Sequence, residues 1–385
     1  MDRMPGESME EPDPRVLALA WLAVDPDAAA RQATRALLDG DGSELTRLFG
    51  RRLAFGTAGL RGPMGPGPAS MNRVLVRVVA AALAQVILDH QGIIDHQGPD
   101  DPHVVVGFDA RHGSRAFAND TARVLAARGI RCTLFADVVP TPLLAFSVKH
   151  LGASAGVMVT ASHNPRQDNG YKVYWRGGTQ LIEPIDSAIA DVMMRTPLLR
   201  DDDLAAADDS AIAVAADSLV EAYLDAITGL LRPTHSGSVD SGSAHSGSVD
   251  SGIVDSRLAG SGDRTLTVAY TPLHGVGGDT LRRAFERAGF DLPAVVGSQA
   301  DPDPDFPTAP FPNPEETGVV EPLLALASSI SADVALANDP DADRLAVAVP
   351  NGASWRLLTG DELGSLVGAQ LGCRAAPPGV VGFGV

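Results

Sequence analysis

The sequence predicts an α/β protein with more than one domain, and three observations predict it. Short apolar runs, such as residues 104–106 and 155–159, alternate with stretches of helical spacing. The chain has 385 residues, too many for one core. Two polar loops, residues 160–165 and 338–344, directly follow such runs, and ligands of α/β sheets bind at strand ends.

In chain order, Leu17, Leu19, Leu22, Ala33, Leu37 and Leu38 carry helical spacing and predict an N-terminal helical arm over 16–49. Residues 55–63 read as a Gly-rich turn bearing Arg61. A helix follows over 72–88 and a buried strand over 104–109. Ser114 is expected to N-cap a helix that stops at Gly129. Residues 130–135 read as a strand and 142–150 as a helix whose Lys149 complements its C-terminus. The strand 155–159 then feeds Thr160-Ala161-Ser162-His163-Asn164-Pro165, and residues 171–175 form the next strand. Helices over 182–194 and 219–231 flank an acidic link, 201–209. A Ser/Gly-rich ten-residue tandem repeat beginning at His235 and His245 reads as a flexible insertion without chemistry. Order is expected to resume with a strand over 266–270, a Gly-rich loop 271–278 and a helix 279–288 stopped by Gly289. Six prolines between Pro302 and Pro314 make that stretch an extended loop. Strands over 333–337 and 345–349 enclose Asp339-Pro340-Asp341-Ala342-Asp343-Arg344.

Composition narrows the partners. A net charge of −18 argues against nucleic acid or an anionic membrane, while leaving room for a small anionic ligand held by local arginines. Cys132 and Cys373 lie far apart without metal-ligand spacing, as buried thiols of a reduced protein would. The N-terminus lacks a signal pattern and the longest apolar stretch, 78–88, is too short to span a bilayer. A cytoplasmic protein is the expectation, and the oligomeric state is not legible.

The chemistry sits in a few side chains. Ser162, at a strand end with Pro165 and Asn169-Gly170 stiffening its loop, is expected to face solvent and can serve as nucleophile or phosphoryl carrier. Asp339, Asp341 and Asp343 alternate in a tight loop and can converge on one hard cation, Mg²⁺ or Ca²⁺. An EF-hand is excluded, because Arg344 and Pro350 stand where its Gly and Glu are required. Only two of the 30 basic residues are lysines, Lys149 and Lys172. A lysine, unlike arginine, can act as general acid or base once its pKa is lowered, which draws notice to Lys172. His274, in a Gly-rich loop before a helix, reads equally as a phosphate-side residue or a loop cap.

Taken together, Thr-Ala-Ser-His-Asn-Pro at 160–165, Asn-Gly-Tyr-Lys at 169–172 and Asp-Pro-Asp-Ala-Asp-Arg at 339–344 resemble the α-D-phosphohexomutase family of phosphoglucomutases and phosphomannomutases. Gly56-Thr57-Ala58-Gly59-Leu60-Arg61 is similar too, and the loops 271–277 and 301–316 look most like the phosphoglucomutase and phosphopentomutase branch. The resemblance implies mixed sheets sandwiched by helices, with two complete domains and the start of a third. The boundaries expected are a helical arm over 1–52, domain I over 53–212, domain II over 213–352 with an insertion at 233–263, and the start of domain III over 353–385. It also implies that Ser162 is a phosphoserine, that Mg²⁺ is held by Asp339, Asp341, Asp343 and a phosphate oxygen on Ser162, and that Lys172 is the general acid/base. His163, Arg61 and Arg344 would surround the transferring group, with Asn164 and His274 toward substrate. Glucose or mannose phosphates would exchange phosphate through a bisphosphorylated sugar, with glucose 1,6-bisphosphate as activator.

Two motifs of that family are not found: a Gly-Glu-rich sugar-binding loop and an Arg-Ser-Gly-Thr-type phosphate loop. The third domain is expected to begin near Trp355 and to break off in the strand-like run 379–385, as a truncated chain would. Alternatives therefore stand beside the hexose mutase: a phosphopentomutase, a non-catalytic sugar-phosphate-binding protein, or a metal-dependent phosphatase.

Overall fold

The computed structural model describes residues 13–40, 42–57, 59–90, 101–230, 266–316 and 318–372. The Ser/Gly repeat, Cys373 and the run 379–385 lie outside them. The expected helical arm is three short helices, α1 (Pro14–Val24), α2 (Ala28–Asp39) and α3 (Ser43–Phe49). Capping explains the breaks: the Asp13 carboxylate accepts from Arg15 N at 2.7 Å, and that of Asp27 from Ala29 N at 2.8 Å. Trp21 meets Phe49 edge-to-face at 6.1 Å. Both belong to one contiguous core with Val79, Val104 and Val157, so the arm is part of the first sheet's packing.

That sheet is built from β1 (Leu60–Pro63), α4 (Arg73–His90), β2 (His103–Phe108), α5 (Ser114–Ala126), β3 (Arg131–Leu134), α6 (Thr141–His150), β4 (Ala155–Val159), β5 (Asp168–Trp175), β6 (Thr179–Gln180), α7 (Ile185–Arg195) and β7 (Ile212–Val214). Its strand order is β1-β5-β4-β2-β3-β7, with β6 beside β5. β4, β2, β3 and β7 run parallel, β5 runs antiparallel to β4, and β1 pairs antiparallel with β5. The second half of the predicted Gly-rich turn is thus an edge strand, with Arg61 opposite Gly170. Ser114 does not cap α5. Gly113, at φ 82°, holds that position, and the Ser114 hydroxyl donates to Asp109 at 2.7 Å.

After α8 (Asp217–Gly229), the second sheet collects β8 (Val268–Thr271), α9 (Gly277–Ala288), β9 (Ala294–Val295), α10 (Glu321–Ser329), β10 (Val334–Asn338), β11 (Leu345–Asn351) and β12 (Ser354–Leu357) in the order β12-β11-β10-β8-β9. β8, β9 and β10 are parallel, β11 runs antiparallel to β10, and β12 pairs antiparallel with β11. Trp355, expected at the opening of a third domain, lies in this edge strand, and α11 (Gly360–Gly372) follows it. α8 joins the two units: Leu219 packs into the first sheet's core, and Glu221 forms ion pairs with Arg283 and Arg287 of α9. Among the described residues no helix is long and apolar enough to cross a membrane.

The acidic link is docked on the core. Arg77, fully buried on α4, pairs with Asp120 at 3.0 Å and with Asp201 of that link at 2.5 Å, while Arg73 holds Asp120 at 2.7 Å. Removing one partner of a buried pair strands the other charge. Asp120→Ala is therefore expected to lower stability by about 3–5 kcal/mol in a urea titration. An unchanged midpoint would show that Arg77 does not need this carboxylate.

Candidate active site

Both loops singled out in the sequence leave the ends of their strands toward one another. β4 delivers Ser162, and the β10–β11 connection delivers the three aspartates. Ser162 Oγ donates to Asp339 Oδ2 at 2.7 Å and lies 3.1 Å from His163 Nδ1. The hydroxyl is therefore not presented to solvent as expected; Ser162 is 1% exposed, covered by a carboxylate 177 residues downstream. Its backbone adopts φ 54°, a conformation uncommon outside glycine. Its N–H donates to Thr160 Oγ1 at 2.9 Å.

Asp339 and Asp341 are fully buried, and one oxygen from each of Asp339, Asp341 and Asp343 lies within 4.8 Å of the others. Lys172 Nζ donates to Asp341 Oδ2 and to Asp343 Oδ2, both at 2.6 Å. Thr141, at the start of α6, donates its hydroxyl to Asp341 Oδ2 and its N–H to the Asp341 carbonyl at 2.9 Å. Two groups of the first unit thus grip the second unit's loop. Burial pushes the Asp339 carboxyl well above the ordinary range, with Asp341 and Asp343 adding to the rise. Burial acts on Asp341 in the same direction, but Lys172 outweighs it and brings that carboxyl down to about 2. Lys172 departs from expectation. Burial alone would lower its pKa, yet Asp341 and Asp343 overcome this and drive it up, so the ammonium is the form held here.

The remaining candidates are placed unevenly. The His163 ring is half-buried against Phe311, and burial followed by Arg344 and Arg61 lowers its pKa. Arg61, on β1, has a buried Nε without a hydrogen-bond partner. Arg344 donates its backbone N–H to Asp339 Oδ1 at 3.0 Å, while its side chain is largely exposed. Asn164 turns its amide back to Asp168 at 2.9 Å. His274 is buried and its Nε2 meets Thr308 Oγ1 at 2.8 Å, which makes it a strut for the proline-rich loop. The amides of its loop are engaged too: Gly275 N donates to Pro272 O and Val276 N to Pro340 O, both at 2.8 Å.

Sequence reasoning missed Arg111 and Thr141. Arg111 follows β2 and sends its guanidinium into the carbonyls of the Ser162 loop. The signal was Asp109-Ala110-Arg111 directly after a buried strand. For Thr141 it was a hydroxyl beside Pro140 at a helix start.

Two family models match: phosphoglucomutase/phosphomannomutase alpha/beta/alpha domain I over residues 52–198, and domain II over residues 248–352. The chain belongs to the phosphoglucomutase/phosphomannomutase family. It is 36% identical over 359 residues to a human phosphopentomutase, covering 90% of this chain and 54% of that protein. It is 33% identical over 372 residues to human glucose 1,6-bisphosphate synthase, covering 90% and 53%. A Burkholderia thailandensis family structure superposes with TM-score 0.59 at 19% identity, covering 84% of this chain and 58% of that one. The chain spans about half the length of the curated relatives it matches.

Members of this family use metal ions, and the residues here fit one. Three carboxylates converge, Asp341 Oδ1 is buried without a hydrogen-bond partner, and the Lys172 ammonium pairs with two of the three acids. The loop's position depends on Gly275, where a Cβ would lie 2.4 Å from Pro340 Cα and 2.5 Å from Pro340 O. Gly275→Ala must push the backbone between Asp339 and Asp341. It is expected to cost about 1–3 kcal/mol in thermal unfolding. An unchanged melting temperature would show that the loop yields freely.

Proposed function

We propose that this chain carries the phosphoserine and cation half of a phosphosugar mutase, with Ser162 as phosphoryl carrier. The observation that supports this most is Ser162 Oγ at 2.7 Å from Asp339, inside a buried cluster closed by Lys172. Domain I over 53–212 and domain II over 213–352 meet at this cluster in our reading, with 353–385 leading on from domain II.

Asp339, Asp341 and Asp343, with an oxygen on Ser162, would hold Mg²⁺, which supplies neutralisation of phosphoryl charge. The rest falls to side chains. Transfer breaks the bond from phosphorus to Ser162 Oγ and forms one to a sugar hydroxyl oxygen. Oγ takes up a proton and the sugar oxygen gives one up. The Lys172 ammonium donates the first and recovers the second, so it ends each half-reaction unchanged. Arg61, with its unpartnered Nε, and Arg344 face the phosphoryl oxygens. The His163 ring holds Oγ in line, and its lowered pKa favours the neutral imidazole. Asn164 braces the loop through Asp168, and His274 braces the proline-rich loop.

The sugar would be a hexose phosphate, glucose or mannose, returning through a bisphosphorylated intermediate, with glucose 1,6-bisphosphate as primer. A pentose phosphate is a second reading, supported by the human phosphopentomutase relative.

Incubation with Mg²⁺ and glucose 1,6-bisphosphate, followed by peptide mapping, is expected to find phosphate on Ser162 and none on the same peptide of Ser162→Ala. Lys172→Met should slow loading by about 10²–10⁴-fold. Phosphate found only elsewhere, or a Ser162→Ala protein that still passes phosphate to sugar, would end the carrier role.

A further inference from the structure

We propose that Arg111 is the positioning residue of this site, fixing the backbone of the Ser162 loop so that Oγ faces Asp339. The inference rests on the reading of Ser162 as phosphoryl carrier. The Arg111 side chain is 1% exposed and spends its fork on carbonyls. Nη2 donates to Ser162 O and Asn164 O, both at 2.6 Å. Nη1 donates to Pro165 O at 2.9 Å and Asp168 O at 3.2 Å. One planar cation thus gathers both limbs of the loop.

The guanidinium is itself fixed on two sides. Its Nε lies 3.3 Å from Asp109 Oδ2, and Asp109 accepts from the hydroxyls of Thr160 and Ser114, each at 2.7 Å. Thr160 Oγ1 in turn accepts from Ser162 N, which closes a ring of contacts around the serine. On the other side the Phe306 ring stacks 4.8 Å from the guanidinium carbon. Phe306 belongs to the proline-rich loop of the second unit, the unit that carries Asp339. The arginine therefore sets the loop against the unit it must face, and the positive φ of Ser162 persists because its surroundings over-determine it. Lysine offers three donors from one point and cannot reproduce the four-carbonyl fork.

The test compares the 385-residue protein with Arg111→Lys and Phe306→Leu. Two readouts are taken: the rate of Ser162 phosphorylation by glucose 1,6-bisphosphate with Mg²⁺, and hydrogen exchange of the peptide 160–170. Arg111→Lys should lower the saturating rate constant about 100-fold, because ångström-scale misplacement costs that much. The half-saturating concentration should stay within about threefold, since no sugar contact is lost. Loop amides should exchange roughly tenfold faster while those of β2 and β4 keep their protection. Phe306→Leu should move both readouts the same way by a smaller factor. A wild-type rate with unchanged loop exchange in Arg111→Lys would overturn the proposal, as would a change confined to half-saturation. Wild-type protein that takes no phosphate on Ser162 would instead sink the carrier reading, and loop exchange alone then decides whether Arg111 holds the loop. If Arg111→Lys fails to fold, wild-type values for both readouts in Phe306→Leu overturn the proposal.

Discussion

The site turns on three carboxylates crowded together where burial already penalises the charge of two of them. Asp339 and Asp341 are fully buried with Asp343 beside them, and their oxygens converge within 4.8 Å. The Lys172 ammonium answers two of these carboxylates. Buried charges of one sign are costly without a partner, so the cluster draws on cross-links from the other unit as well as on the Arg344 N–H of its own loop. Lys172 on β5, Thr141 at the start of α6 and Ser162 after β4 are those cross-links. A divalent cation would answer the same crowding, and the orphaned Asp341 Oδ1 marks an oxygen ligand left unused.

The two sheets bring those groups together. Each ends its parallel strands at the shared face, and each adds antiparallel strands at one side. β5 is the consequential one, since it returns from the Ser162 loop and carries Lys172 back beside it. The proline-rich loop completes the junction through Phe306 on Arg111, Asp305 near His112 and Phe311 on His163. Stiff backbone suits that task, because prolines lose little freedom when the loop docks.

What the sequence made legible was local. The Ser162 and Asp339 loops announce themselves through residue types at fixed spacing beside apolar runs, and most helices and strands followed from periodicity. What stayed hidden was contact between distant segments. Burial of Ser162 comes from Asp339, and the rise in the Lys172 pKa comes from Asp341 and Asp343, none of them sequence neighbours. Arg111 looked like one arginine among 28 because its partners are backbone carbonyls, which no pattern records. Trp355 stands opposite Pro350 of β11, because strand pairing, and not composition, decides which sheet a short segment joins.

The central claim is that the Ser162 oxygen and the three aspartates form one cation site. It is tested most directly by titrating Mg²⁺ calorimetrically into protein with and without phosphate on Ser162. Phosphate adds about −1.5 to −2 charge and strong acceptor oxygens. Mg²⁺ is expected to bind the phosphorylated protein markedly more tightly, with binding lost in Asp341→Asn. Equal affinities in the two forms would remove Ser162 from the cation site and contradict that claim.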